Sequence, residues 1–130
     1  MSKLTIALDI MGGDHGPPVI LPAAVKAIQL HLDVHFTLCG DEDTIKAGIQ
    51  PLTNAERNRV TIVHCSQVVE MGEAPTSALR NKKDSSMRRV IELVESGEAN
   101  ACVSAGNTGA LLTLSFYLLK TLSGIDRPAL

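Results

Sequence analysis

Short aliphatic runs recur along this chain at intervals that leave room for about one helix between each pair. They begin near residues 4, 34, 60 and 101. Parallel strands need a long crossover connection, usually a helix, whereas antiparallel strands can be joined by a tight hairpin. The spacing therefore predicts an α/β fold, a three-layer α/β/α sandwich with a mainly parallel sheet.

The predicted elements follow from the local hydrophobic pattern and its stop signals. The strands span residues 3–9, 34–39, 60–64 and 101–104, and the helices span residues 17–32, 41–50, 85–96 and 109–122. The last helix is apolar on nearly all sides, which predicts a partner surface beyond the sheet. The length of 130 residues predicts a single α/β domain over residues 1–130. Because residues 126–130 resemble a lead into another strand, we expect this domain to be the N-terminal portion of a longer protein.

Composition narrows the classes of function. The chain has 130 residues, a net charge of −2 and only three aromatic residues, Phe36, Phe116 and Tyr117. Nucleic-acid binding relies on a positive surface and often on aromatic stacking platforms, so we expect no nucleic-acid partner. The 45% hydrophobic content supplies a folded core and excludes a disordered segment.

The cysteines and the N-terminal segment predict a cytoplasmic location. Cys39, Cys65 and Cys102 have no metal-ligand spacing, and an odd number of unpaired cysteines is typical of reduced thiols. No signal sequence precedes the first predicted strand. Residues 99–119 are uncharged, but glycines and polar side chains in their first half argue against a membrane-spanning helix.

The first candidate site is the turn after the first strand, Asp9-Ile10-Met11-Gly12-Gly13-Asp14-His15-Gly16. It does not have the GxGxxG spacing of a dinucleotide site, and Asp14 would repel a pyrophosphate. A tight turn explains Gly12 and Gly13 but not the acidic residues and the histidine. Asp9, Asp14 and His15 can orient water, a phosphate or a hard cation. Two carboxylates without a third ligand bind a metal ion only weakly, so we predict no metal site.

The second candidate is Ser104-Ala105-Gly106-Asn107-Thr108-Gly109, which opens the apolar helix. Small residues let the backbone approach a ligand, and the free amides of a first helical turn favour anions. A helix cap needs only one of these polar residues. The segment therefore predicts a cradle for phosphate or an oxyanion, formed by Ser104, Gly106, Asn107, Thr108 and Gly109.

The third candidate is the basic run Arg80-Asn81-Lys82-Lys83-Asp84-Ser85-Ser86-Met87-Arg88-Arg89. It has five basic residues and one acidic residue, a local charge of +4 in a chain of net −2. A charge run is often only a solvated helix face. Because this run lies before a predicted helix start, an anionic substrate or an acidic protein is the competing interpretation.

Four motifs in order resemble one family. They are the Gly-Gly-Asp turn, Lys82-Lys83-Asp84-Ser85-Ser86-Met87, Ser104-Ala105-Gly106-Asn107-Thr108-Gly109-Ala110 and Gly124-Ile125-Asp126-Arg127-Pro128-Ala129-Leu130. Together they closely resemble the bacterial phosphate acyltransferases of phospholipid synthesis. The resemblance covers essentially the whole chain, although members of that family are considerably longer.

The resemblance implies a specific activity. Such enzymes transfer a fatty acyl group from acyl carrier protein to inorganic phosphate and form the acyl phosphate used by a glycerol-3-phosphate acyltransferase. It also implies a fold like that of the isocitrate dehydrogenase and phosphotransacetylase group, a homodimer, and a cytoplasmic enzyme peripheral to the inner face of the membrane. No cofactor is implied.

The residues fit this chemistry, because phosphate is itself the nucleophile and needs only orientation and a stabilised oxyanion. We expect Asp9, Asp14, His15 and Asn107 to act in catalysis, by orienting phosphate or transferring a proton. The predicted substrate-binding residues are Gly12, Gly13, Lys82, Lys83, Ser104, Gly106, Thr108 and Gly109. The alternatives are a phosphotransacetylase that uses coenzyme A thioesters and a non-catalytic nucleotide-binding module.

Overall fold

The computed structural model describes residues 3–128 and contains a four-stranded sheet. Its strands are β1 (Leu4–Asp9), β2 (Val34–Gly40), β3 (Val60–His64) and β4 (Ala101–Val103). Their order across the sheet is β3-β2-β1-β4, and every neighbouring pair is parallel. The predicted α/β class and the parallel sheet are confirmed.

The order of the strands creates a topological switch point between β1 and β4. The chain first builds the sheet outward from β1 to β3 and then returns to place β4 on the other side of β1. At the carboxyl ends of this pair, Leu8 lies beside Val103. Ligands of open parallel sheets bind in the crevice outside the strand ends at such a point.

Helices α1 (Pro17–Leu30) and α2 (Glu42–Gly48) cover one face of the sheet. Asp41 caps α2 as expected, since its carboxylate accepts a hydrogen bond from the amide of Thr44 at 3.0 Å. A one-turn helix, α3 (Asn54–Arg57), follows before β3. The buried core of this face is almost entirely aliphatic: Ile10, Leu21, Ala24, Ile28, Phe36, Leu38, Ile45, Ile49 and Leu52.

Helices α4 (Pro75–Asn81), α5 (Ser86–Glu95) and α6 (Thr108–Leu119) cover the opposite face. Here α5 lies on the sheet, and α6 packs against both α4 and α5. The fully buried residues of this core include Ala7, Cys39, Ala78, Val90, Ile91, Ala110 and Leu114. Helices on both faces of one sheet form the predicted three layers.

Some boundaries differ from the prediction. The last helix ends at Leu119 rather than residue 122, because Lys120 adopts a positive φ of 66°. Helices α3 and α4 were not predicted, since neither is long enough to show a helical period. Along α6, Phe116 and Tyr117 remain about half exposed, so part of this helix is uncovered. Within residues 3–128, every helix is too short or too polar to cross a membrane.

Candidate active site

The carboxylate of Asp9 is the centre of the candidate site. Asp9 ends β1 and is only 2% exposed. Its Oδ1 accepts hydrogen bonds from the amides of Met11 and Gly12 at 3.2 and 3.1 Å, and from Ser86 Oγ at 2.5 Å. Its Oδ2 accepts from Ser104 Oγ at 2.7 Å. Asp9 therefore joins the ends of β1 and β4 to the start of α5 and acts as a structural hub.

The glycine turn and the segment after β4 touch through their backbones. A Cβ atom on Gly12 would lie 2.5 Å from the Asp9 carboxylate and 3.2 Å from the Cα of Gly106. Only glycine permits this approach. Ser104 Oγ, which donates to Asp9, also accepts from the amide of Gly106 at 3.1 Å. The structure thus brings Asp9 and Gly12 of the first candidate motif into contact with Ser104 and Gly106 of the second. The two motifs are far apart in sequence but lie together at the switch point.

Beside this contact lies an open cleft of about 200 Å³. Its lining residues come from the glycine turn, the start of α1 and the segment after β4: Gly12, Gly13, Asp14, His15, Gly16, Val19, Ile20 and Ala105. Asp14 and His15 are exposed, and Gly13 has a φ of 102°, which favours glycine. Across residues 3–128, the amides of Gly13, Asp14 and His15 donate no backbone hydrogen bond.

The N-terminus of α6 is the part of the site best suited to an anion. The side chain of Asn107 caps the helix, since its Oδ1 accepts from the amide of Ala110 at 3.1 Å. The amides of Thr108 and Gly109 have no acceptor within the described part of the chain. Unpaired amides and the helix dipole together attract negative charge.

The N-terminus of α1 does not offer the same donors. Pro17 and Pro18 occupy its first two positions and lack an N–H. The next two amides, of Val19 and Ile20, both donate to the Gly16 carbonyl at 3.1 Å. An anion at the switch point must therefore use the loop amides or the start of α6.

The contacts of the two predicted lysines are with groups other than Asp9. The Lys82 ammonium donates to the carbonyl of Val68 at 2.7 Å and lies 3.5 Å from the Glu73 carboxylate. Lys83 lies in a separate surface cleft with Leu79, Arg80, Arg88 and Tyr117. The basic run is thus divided among several environments, and Arg89 lies along a different groove with Glu92 and Leu118.

Ser86 and Glu73 are the residues that sequence reasoning missed. Ser86 belongs to the quoted Lys-Lys-Asp-Ser-Ser-Met motif, but only the structure shows that its hydroxyl reaches Asp9. Glu73 lies in a loop, and its sequence context gave no reason to select it. Burial alone would raise the pKa of Glu73, but hydrogen bonds from the Glu70 amide, Ser77 and Lys82 hold it below its usual range.

Two of the three thiols are held in their neutral form, whereas a hydrogen bond with Cys39 lowers the pKa of the Cys65 thiol. A hydrogen bond with Cys65, together with burial, raises the pKa of the Cys39 thiol. Burial also raises the pKa of Cys102. A thiol held in its neutral form is a poor nucleophile. Within residues 3–128, no group of three or more His, Cys, Asp or Glu side chains is arranged to hold a metal ion.

The fold and the site define a class of protein: a parallel α/β protein with an open crevice at the switch point of its sheet. The chain belongs to the Fatty acid synthesis protein family, whose family model matches residues 4–130. The family resemblance predicted from the four motifs is confirmed.

The similar proteins carry a more particular name. The phosphate acyltransferase of Halorhodospira halophila is 54% identical over 129 residues, which cover 99% of this chain and 38% of that protein. Those of Nitrosococcus oceani and Legionella pneumophila are 55% and 53% identical over 98% and 100% of this chain, each across 38% of the relative. The chain therefore spans about 38% of the length of these curated relatives.

Proposed function

We propose that the full-length enzyme containing this sequence transfers a fatty acyl group from acyl carrier protein to inorganic phosphate and forms acyl phosphate for phospholipid synthesis. One structural observation carries the proposal: the amides of Thr108 and Gly109 begin α6 unpaired, directly after the segment in which Gly106 contacts the glycine turn at the switch point. The relatives named phosphate acyltransferase support it, since they match almost the whole chain.

The reaction forms one bond and breaks one. A phosphate oxygen attacks the thioester carbonyl carbon, the new C–O bond forms, and the C–S bond breaks. The electron pair of that bond goes to sulfur, which leaves as a thiolate and takes up a proton. Phosphate is already the nucleophile, so no covalent enzyme intermediate is needed, and no cofactor is consumed. The protein must orient phosphate and stabilise the oxyanion.

The described residues divide these tasks. In the proposal, the Thr108 hydroxyl and the amides of Thr108 and Gly109 hold phosphate, and the amides that follow Gly12 donate to phosphate or to the oxyanion. His15 and Asp14, exposed in the cleft, orient phosphate or transfer a proton. Asp9 acts behind them, because its buried carboxylate fixes the turn and Ser104 in place.

The donor is proposed to dock on the cleft formed by α4, α5 and α6. Arg80 and Lys83 are exposed there, and Arg88 lies with its guanidinium 5.8 Å from the centre of the Tyr117 ring. Lys120 approaches the same ring at 5.3 Å. An acidic carrier protein complements such a cluster, and complementary charge mainly accelerates encounter. We name this surface the basic cleft.

Further features of the whole enzyme belong to the same proposal. We propose a cytoplasmic homodimer in which this sequence forms one α/β domain and which associates peripherally with the inner face of the membrane. Acyl phosphate carries a long apolar chain, so delivery to a glycerol-3-phosphate acyltransferase at the membrane favours this location. The exposed Phe116, Tyr117 and Leu119 of α6 support a further contact surface.

One experiment separates the candidate activities. The full-length enzyme is incubated with phosphate and either a carrier-protein or a coenzyme A thioester, and acyl phosphate is trapped with hydroxylamine. Trapped product mainly from the carrier-protein donor supports the proposal. Product mainly from coenzyme A indicates a phosphotransacetylase, and no product from either donor indicates a binding module.

A further inference from the structure

Polar contacts hold the segment of residues 66–73, between β3 and α4, along one side of the site. The Lys82 ammonium donates to the carbonyl of Val68 at 2.7 Å and pairs with the Glu73 carboxylate at 3.5 Å. The side chain of Glu73 is only 11% exposed. Its other oxygen accepts from Ser77 Oγ at 3.1 Å. Both side chains are partly buried, so salt screens this ion pair less than a fully exposed pair.

Asn107 connects the same segment to the start of α6. Its Nδ2 donates to the carbonyls of Glu70 and Glu73 at 3.1 and 2.7 Å, while its Oδ1 caps the helix at Ala110. An amide nitrogen has two donors, and both are used here. Asn107 therefore has no free N–H for a substrate.

We propose that Lys82 and Asn107 are positioning residues, which clamp residues 66–73 against the start of α6 and do not bind phosphate themselves. This inference rests on the proposed function. The Lys82 ammonium already contacts the Glu73 carboxylate and the Val68 carbonyl. Lys82 and Asn107 each donate to backbone carbonyls of residues 66–73. Lys82 and Asn107 affect phosphate binding indirectly. They fix the first turn of α6, and the Thr108 and Gly109 amides of that turn donate to phosphate.

A double-mutant cycle tests the clamp in the full-length enzyme. Lys82→Met, Glu73→Gln and the double variant are compared by their KM for phosphate and their kcat. Because either single change breaks the ion pair of Lys82 with Glu73, we expect each to raise the phosphate KM by about 5-fold, and the double change to raise it no further than Lys82→Met alone. Asn107→Ser keeps a capping oxygen but removes both N–H donors, and we expect it to raise the phosphate KM as well.

A direct phosphate-binding role for Lys82 gives a different pattern. In that case Glu73→Gln leaves the phosphate KM unchanged while Lys82→Met raises it, and this result would overturn the proposal. The exposed Lys46–Glu42 pair on α2, at 3.0 Å, is the matched control, since Lys46→Met and Glu42→Gln should leave the KM unchanged. If Lys82→Met or Glu73→Gln does not fold, Lys82→Arg and Glu73→Asp are compared in the same way.

The test also separates failure of the clamp from failure of the proposed function. If the unaltered enzyme traps no acyl phosphate with either donor, the proposed function is wrong. Phosphate binding to the same variants, measured by calorimetry, then tests the clamp. Losses of phosphate affinity in both Lys82→Met and Glu73→Gln support the clamp, and a loss confined to Lys82→Met contradicts it.

Discussion

Asp9 shows how one buried carboxylate can organise three segments of a parallel α/β protein. Its two oxygens accept four hydrogen bonds, from two amides of its own turn and from the hydroxyls of Ser86 and Ser104. Hydrogen bonds to an ionised acceptor are stronger than those between neutral groups. A buried carboxylate that accepts four hydrogen bonds from its own chain stabilises the site, and we expect the direct contacts with substrate to come from its neighbours.

Asp9→Asn should therefore destabilise the fold. An asparagine of the same size has an amide group where Asp9 accepts hydrogen bonds, so at least one buried donor loses its partner. We expect the free energy of unfolding to fall by about 2 kcal/mol, measured by denaturant titration. Asp14→Asn, at an exposed position, is the control and should change it by less than about 0.5 kcal/mol. Unchanged stability with lost acyl phosphate formation would instead place Asp9 on the substrate.

At this scale the sequence pointed to several residues that the structure brings together at the switch point, but it could not assign their contacts. Asp9, Ser104 and Asn107 were chosen because polar residues after strand ends often meet ligands. The structure shows that these side chains mainly bind other parts of the protein. Hydrogen-bond partners 34 or 95 residues apart depend on how loops meet in space, and local pattern does not contain that information.

At the scale of elements, the two helix N-termini near the switch point differ in what they offer an anion. Helix α1 begins with two prolines, and its next amides donate to Gly16. Helix α6 begins with the unpaired amides of Thr108 and Gly109. The start of α6 should therefore provide most of the phosphate affinity.

Thr108→Pro tests this assignment at the level of one amide. Proline is well tolerated at the first position of a helix, so the change removes an N–H without removing the helix. A hydrogen bond to a charged group contributes about 1.5–3 kcal/mol, so we expect the phosphate KM to rise about 10-fold or more. Thr108→Val keeps the amide and removes only the hydroxyl, and it should have the smaller effect. An unchanged KM in Thr108→Pro would move phosphate to the Gly13–His15 amides.

The elements themselves were largely predictable. All four strands, the Asp41 cap and the helix after Ser85 lie where the hydrophobic pattern placed them. The end of α6 does not lie where it was predicted, because a helix that is apolar on nearly all sides has no hydrophobic period to mark its end. Helix α4 was missed because it spans only seven residues and is held mainly by α6, a contact set by tertiary packing.

At the scale of the whole molecule, charge is divided between surfaces. The basic cleft contains Arg80, Lys83 and Arg88, whereas Lys82 is paired with Glu73. Net charge and local charge runs affect encounter rates more than bound-state affinity. Only the part of the basic run that lies in the basic cleft is expected to act on a donor.

Reversing two exposed charges tests the basic cleft. Arg80→Glu with Lys83→Glu should raise the KM for the carrier-protein donor several-fold and weaken its dependence on salt, because steering by complementary charge is lost. The phosphate KM should stay constant, since neither residue contacts the switch point. Lys26→Glu with Lys46→Glu, on exposed positions of α1 and α2, is the charge-matched control. Equal effects of the two double variants would indicate a general charge effect.

The cleft at the glycine turn is small for a complete active site, which bears on how much of the site these 130 residues contain. Ligand pockets of proteins measure roughly 300–1,000 Å³, and the cleft at the glycine turn measures about 200 Å³ and is open to solvent. The edge strand β4 leaves Val103 57% exposed, and α6 leaves Tyr117 52% exposed. These uncovered surfaces predict that another part of the full-length enzyme closes the site.

We expect the isolated chain to fold, as judged by circular dichroism, and to form no acyl phosphate above the uncatalysed background in the hydroxylamine assay. Turnover close to that of the full-length enzyme would show that the switch-point loops are a complete active site.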